Sequence, residues 1–564
     1  MAVENLITEH IDIWTSAVKT KSTSGRGSSK KLELYGVNKL RELILELAVR
    51  GKLVPQDPND EPASVLLERI AAEKAQLVKD GKIKKSKGLG EISEDDRLKN
   101  IPSLWETARL GNLLYVEMGQ SPASKYYNQD HNGVPFFQGK ADFGERYPTA
   151  RYWCVQPQKY AYEGDVLLSV RAPVGPTNIS TEECCIGRGL AALRPISGVP
   201  TNYVYYMMQG FRKTLESFAT GTTFVAVSKV NVENLIISVP PLKEQHRIVD
   251  KVDELMTLCD QLEQQTEASI EAHQVLVTTL LDTLTNSADA DELMQNWARI
   301  SEHFDTLFTT EGSIDQLKQT ILQLAVMGKL EPQDPTDEPA AKLLERIAEE
   351  KAQLVKEKKI KKQKALPLIA EDEKPFELPS GWEWCRLGEV TNLVSGQHLK
   401  PSEYTENSEA NSVPYITGPA EFGNIYPTFS KYTLEKRALA QAGDILITCK
   451  GAGLGKLNRT KQTMAISRQL MAIEPVLLDS DFLYNVLDCQ YDYFQSKGVG
   501  IAIPGISRDD VTHMGVSLPP LSEQKRILVK LSELMNVCDQ LTSRLIKSKN
   551  LQLHLTDAIV ARAV

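Results

Sequence analysis

Apolar positions recur at helical spacing in two long stretches of this chain. Ile248, Val252, Leu255, Cys259 and Leu262 follow one another at steps of four, three, four and three, and Ile527, Leu531, Leu534, Cys538 and Leu541 do the same. Such a seam predicts amphipathic helices that each need a helical partner. Pro240-Pro241 and Pro519-Pro520 precede them and fix the backbone for helix entry. The pattern persists for about 40 residues in each case, or roughly 60 Å of helix.

Elsewhere the pattern is that of strands. YAYEGDVLLSVRAPVG (160–175) and ALAQAGDILITCKGAGLG (438–455) each read as a turn, a buried strand and a Gly-rich loop. Asp165 and Asp444, in the GD turns, read as turn-formers rather than catalytic acids. Several such strands in each segment predict compact mixed α/β or mostly β domains. Residues 20–30 (TKSTSGRGSSK) read as a flexible linker that isolates a short N-terminal helix.

The two patterned regions belong to a repeat. Leu40–Lys85 and Leu317–Lys362 match at 34 of 46 positions. The correspondence continues from PSLWETARLG (102–111) to PSGWEWCRLG (379–388), and from VPFFQGKADFG (134–144) to VPYITGPAEFG (413–423). It reaches IGRGLAAL (186–193) with ISRQLMAI (466–473), and the two PPL-led helices. Small changes in register fall where Gly, Pro and Asn cluster, as loops allow. Nearly identical helical stretches therefore alternate with segments that keep their strands and vary their loops. One frame with two sets of loops suits the reading of two different targets.

Composition adds limits. At 564 residues the chain is long enough for several cores, and 41% hydrophobic with 25% charged residues suits a soluble globular protein. Met1–His10 carries no long apolar run, and no stretch approaches the roughly 18 to 20 apolar residues of a membrane span. A cytoplasmic protein is expected. Eight scattered cysteines form no CxxC pair, so reduced thiols are expected and no zinc site. The net charge of −9 argues against non-specific coating of nucleic acid, but not against a reader with a few placed cations. Between Ile101 and Val239, 12 Lys/Arg face 11 Asp/Glu, and between Leu378 and Pro519, 12 face 15. Most of the negative charge thus lies in the helical stretches.

Catalytic motifs are missing from the sequence. GAGLGKL (451–457) lacks the glycine spacing and the hydroxyl of a phosphate loop. Neither an NPPY/F-type methyltransferase tetrapeptide nor an FxGxG-type cofactor loop is found, and His131, His246, His273, His303, His398, His513 and His554 show no paired acid or nucleophile context of a catalytic kind. The chain reads as non-catalytic.

PPLKEQHRIVDKVDELMTLCDQL and its copy, the LPSGWEWCRLG element, the IxR element at Arg188 and Arg468, and the LAVxGKLxPQDPxDEPA block resemble those of type I restriction–modification specificity (S) subunits, in the subgroup with a long N-terminal extension. The resemblance implies a mixed α/β chain with two pseudo-two-fold repeated target recognition domains separated by long antiparallel coiled-coil helices. Its expected divisions are residues 1–100 (arm, linker and first helical region), 101–241 (first recognition domain), 242–377 (spacer and second helical region), 378–520 (second recognition domain) and 521–564 (C-terminal spacer helix). It further implies double-stranded DNA as ligand, read as an asymmetric bipartite site, with two methyltransferase (M) subunits and restriction (R) subunits as partners. S-adenosylmethionine, ATP and Mg would belong to those partners, leaving no cofactor here. A stand-alone regulator of bipartite DNA sites is the alternative. The chain departs from the usual family pattern at Gln120 and Gln397, after the loop glycine.

Base readout needs Arg, Lys, Asn or Gln at groove edges, with phosphate contacts setting register. Candidates in the first domain are Gln120, Lys125, Tyr126, Lys140, Arg171, Thr177, Asn178, Arg188, Thr222, Thr223 and Lys229. In the second they are Gln397, Lys400, Tyr404, Lys450, Lys456, Asn458, Arg459, Lys461, Arg468 and Arg508. Arg188/Arg468 and Lys229/Arg508 occupy equivalent places, which suits a shared phosphate or scaffold role. Arg171 and Lys450 precede differing loops, which suits base reading.

Overall fold

The structure, a computed structural model, describes residues 3–21, 31–84, 89–218, 226–288, 290–451, 453–499 and 504–564. The chain divides into two compact units, one of residues 1–270 with 548–564, the other of residues 271–547.

In the first unit the helix Tyr35–Val49 buries Val37, Leu40, Leu43, Ile44 and Leu47 in one cluster with Ile248, Val252, Leu255 and Cys259 of the seam. Arg41 bridges Asp260 at 2.7 Å and Glu263 at 2.5 Å, so this helix lies alongside Leu242–Thr285, a helix of 44 residues. Leu262, Ile270, Ile559 and Val560 pack against the same cluster. The second unit repeats the arrangement, with Lys318 of the helix Glu311–Val326 on Asp539 at 2.7 Å. There Val277, Leu281 and Leu284 share a cluster with Leu531 and Cys538. In the first unit Tyr35 and Arg50 reach Asp557 and Val564 at the end of the last helix, Leu521–Ala563, while Arg41 and Gln56 reach Asp260 and then Glu244, so the two long helices run antiparallel there. The seams face the cores as their periodicity predicts, with Leu262, Leu534 and Leu541 half-buried and the other seam positions buried.

The repeated block explains itself as a clamp. Buried Glu244 accepts hydrogen bonds from Trp105 Nε1 at 2.9 Å and Gln56 Nε2 at 2.7 Å, and Arg247 pairs with Asp60 at 2.6 Å. Glu523 accepts from Trp382 at 3.0 Å and Gln333 at 3.2 Å, and Arg526 pairs with Asp337 at 2.6 Å. Burial raises both glutamate pKa values, and the donors hold against that cost. Gln245 and Gln524 donate back to Pro240 and Pro519. PQDPxDEP and PPLxEQ are thus two faces of one contact.

Each strand-rich segment hangs on this clamp. Its first and last strands pair, Glu106–Arg109 with Ile236–Val239 and Glu383–Arg386 with Gly515–Leu518. Above that clasp stands a four-stranded antiparallel sheet, in the order Thr177–Ile179, Val166–Ser169, Leu190–Arg194, Tyr115–Met118 in the first unit. A second sheet joins Val134–Phe137 to Cys184–Ile186 in parallel. The second unit repeats both sheets, with Ile445–Thr448 and Val413–Ile416 in the corresponding places, its second sheet having four strands where the first unit has five. Mixed α/β architecture is what the sequence predicts.

The N-terminal region departs from expectation. Trp14 is fully buried with Leu6 and Ile7 in the first unit's core, and Lys19–Lys21 pairs with Lys31–Glu33. Gly36 passes so close that a Cβ there would lie 2.2 Å from the Trp14 carbonyl oxygen. The helix is therefore docked, not isolated, because burying one tryptophan and two aliphatic side chains stabilises by several kcal/mol (on the order of 2 each). Most of the expected linker, residues 22–30, lies outside the described residues. The docked piece is itself a copy: ITEHID (7–12) answers to ISEHFD (300–305), with a helix break at His10 and at His303.

Candidate nucleic-acid interface

Four loops of the first segment converge at one end of its sheets. They follow Tyr115–Met118, Val134–Phe137, Val166–Ser169 and Cys184–Ile186, and they line an open cleft of about 540 Å³. Lys140, Arg171 and Arg188 are exposed around it, and none has a carboxylate partner among the described residues. Backbone contacts hold these side chains out. Gln120 N donates to Ile186 O at 2.9 Å, Arg171 pairs with Ala226 in an isolated bridge, and Arg188 N donates to Ser121 Oγ at 3.2 Å. Asp142 accepts from the N–H groups of Gln138 and Gly139 and is paired to Arg151, which fixes the turn carrying Lys140. A rigid concave surface with three unneutralised cations suits an extended anion.

The second segment repeats the frame. Gln397 N donates to Ile466 O at 2.9 Å, and Lys450 pairs with Gly505. Lys400, Lys450, Lys456 and Arg468 are exposed, again without a carboxylate partner among the described residues. A Cβ on Gly119 would lie 2.2 Å from Gly187 O, and one on Gly396 2.0 Å from Ser467 O. That close crossing is why glycine precedes Gln120 and Gln397.

The profile of the type I restriction modification DNA specificity domain matches residues 102–272 and 379–548, the two halves that carry these loops. The type I restriction enzyme EcoAI specificity subunit of Escherichia coli is 43% identical over 598 residues, with all of both chains covered. The EcoEI specificity subunit of the same organism is 42% identical over 601 residues, again with full coverage. The chain belongs to the type I restriction enzyme specificity subunits. A solved structure described as the structural basis underlying complex assembly and conformational transition of the type I R-M system matches with a TM-score of 0.50 at 20% identity. It covers 81% of this chain and 97% of that chain, a likeness of fold. As a specificity subunit the chain is a non-catalytic, DNA-binding part of a restriction system. Among the described residues no cluster of His, Cys, Asp or Glu could hold a metal ion, and no helix is long and apolar enough to cross a membrane.

Several residues expected at the interface of this specificity subunit serve its scaffold instead. Asn178 and Asn458 are buried; their amides donate to Gly144 O and Gly423 O at 3.2 and 2.8 Å, bracing a neighbouring turn. Thr177 is buried in a strand beside Gln209. Arg459 pairs with Asp481 at 2.6 Å and stacks on Tyr484, and Arg508 donates to Leu393 O at 2.6 Å, where burial lowers its pKa. Lys229 pairs with Glu233 at 3.5 Å and lies over Tyr115. A short polar side chain in a strand-and-turn segment is as often a brace as a reader, and sequence does not separate the two. Lys125 and Lys461 lie over the rings of Tyr126 and Tyr426. Thr222 and Thr223 lie outside the described residues.

Tyr127, which lines the cleft, packs on Phe136 at 5.3 Å, and Tyr404 packs on Tyr415 at 5.4 Å. Tyr127, not Tyr126, is the counterpart of Tyr404. Ser121 and Gln138 also line the cleft and were not selected from sequence. The offset carried forward from Gly119/Gly396 would have found Tyr127.

Proposed function

We propose that this specificity subunit reads an asymmetric, bipartite site on double-stranded DNA, one half-site per strand-rich segment, and joins two methyltransferase subunits and the restriction subunits on its helices. The observation that carries this is internal. Two segments with the same clasp, the same sheets and the same glycine crossings present different side chains at the same end of the fold. Two copies of one site with different contents read two different sequences. Residues 101–241 and 378–520 would be the recognition domains. The helices of 242–377 and 521–564 would set their spacing, and the enzyme would work in the cytoplasm, where its DNA is. Arg188 and Arg468, alike in both copies, fit phosphate contacts that fix register; Arg171 and Lys450 lie beside the loops that differ. Each segment is close to charge balance, so much of the phosphate neutralisation would come from the partner subunits.

Exchanging residues 378–518 for the equivalent segment of a relative tests this. Methylated-base mapping should show one half-site changed, with the other half and the spacer retained. A change in both halves would refute the assignment of one segment to one half-site.

A further inference from the structure

We infer that Gln138 and Gln469 are the specificity-determining amides of the two segments, supplied from facing loops of the same repeated frame. The inference rests on the proposed reading of one half-site per segment and deepens it to single side chains.

In the first segment Gln138 stands on the turn pinned by Asp142. It is exposed, lines the cleft, and its carboxamide has no hydrogen bond to protein among the described residues. The facing position is Gly189, where a Cβ would lie 2.4 Å from the Gln138 carbonyl oxygen, so that wall accepts no side chain. In the second segment both positions are exchanged. Thr417 replaces Gln138, and its hydroxyl donates to Glu421 at 2.9 Å, so it is not free to read a base. Pro419 stands where Lys140 stood. The facing residue is now Gln469, exposed, with its Oε1 directly over Gly418, at 2.3 Å from where a Cβ of that glycine would be. Its carboxamide also has no protein partner among the described residues, while its backbone is held by Ser467 Oγ and Cys449 N.

Each segment therefore adds to its shared glutamine a further amide without a protein partner among the described residues, on a pinned backbone but from a different loop. Gln120 and Gln397, alike in both copies, cannot make the two half-sites differ; Gln138 and Gln469 can. A glutamine amide offers a donor and an acceptor side by side, the pattern that matches the N6 and N7 edge of adenine in the major groove. Arrival from facing loops displaces the contact, so the two segments would read an adenine at different positions of their half-sites. Lys140 beside Gln138 gives the first segment a cation that the second, with Pro419, lacks at this turn.

The test uses the enzyme assembled with its methyltransferase and restriction subunits, read by methylated-base mapping and by selection from randomised duplexes. Gln469→Ala should lose preference for one base pair in one half-site by roughly ten- to a hundredfold, leaving the other half unchanged. Gln138→Ala should do the same in the other half. Both side chains are exposed, and selection from duplexes reports binding even where methylation is slowed. Uniformly weakened binding with base preference intact would assign the amides to the backbone and overturn the inference, as would no change at all. If one substitution altered both half-sites, the reading of one half-site per segment would fail instead.

Discussion

Asp165 and Asp444 stand in the same turn of the two segments, each accepting a backbone N–H from three residues before, Tyr162 or Gln441. Their surroundings differ in sign. Arg194 binds Asp165 through two nitrogens, at 3.0 and 2.8 Å, whereas the corresponding strand position in the second copy is Glu474. Burial, helped by Glu474, pushes the Asp444 carboxyl up to about 7. The clamp under each segment, by contrast, is the same atom for atom. Duplication has kept the clamp that joins segment to helix and let other contacts drift, even at a buried charge. Arg146 and Tyr206 bind Asp253, where the second copy has Ile425, Asn485 and Ser532.

If the clamp is shared, its loss should cost the two copies alike. Trp105→Ala and Trp382→Ala should each destabilise by about 3–5 kcal/mol, since each removes a buried ring and the donor to a buried glutamate. Urea denaturation followed by circular dichroism checks this, and a marked inequality would break the equivalence. Next in size, Asp165→Asn should cost about 3 kcal/mol at neutral pH by leaving half-buried Arg194 without its counter-charge.

Asp444→Asn should go the other way. The carboxyl takes up a proton on folding between its ordinary 3.8 and about 7, so its contribution is most favourable below that window and is lost as pH rises through 7. The asparagine, which still accepts from Gln441 N, should stabilise the protein by about 2 kcal/mol at pH 8, and the gain should vanish near pH 4. Thermal melts across that range decide it. A gain independent of pH would mean that Asp444 does not titrate there.

The smallest effects concern the cations alike in both copies. Arg188→Ala and Arg468→Ala in the assembled enzyme should each lower DNA affinity by about 1 kcal/mol without altering the mapped sequence. Each should also reduce the slope of log affinity against log salt by about one. An altered sequence after either substitution would move that arginine from phosphate to base.

Much of this fold was legible in the chain. Seam positions such as Val252 and Leu255 are buried because a helix with one apolar stripe has a single stable way to lie. The repeat placed Gly119 with Gly396 before any backbone crossing was visible. Other positions were not legible. Asn178 and Arg171 are both polar residues beside a variable loop, yet one braces a buried turn and the other lines an open cleft. The N-terminal helix looked separate because a polar stretch follows it, and only the burial of Trp14 shows that it docks.

The sequence by itself determined the periodic and the duplicated: which stretches are helices, which segments correspond, and that two loop sets share one frame. Tertiary structure decided the rest. Periodicity and repetition are properties of the chain read along its length, whereas whether Glu244 meets Trp105, or whether Gln138 lines a cleft, depends on residues brought together from distant loops. Local sequence does not encode which polar groups find partners inside the fold and which are left facing outward to bind something else.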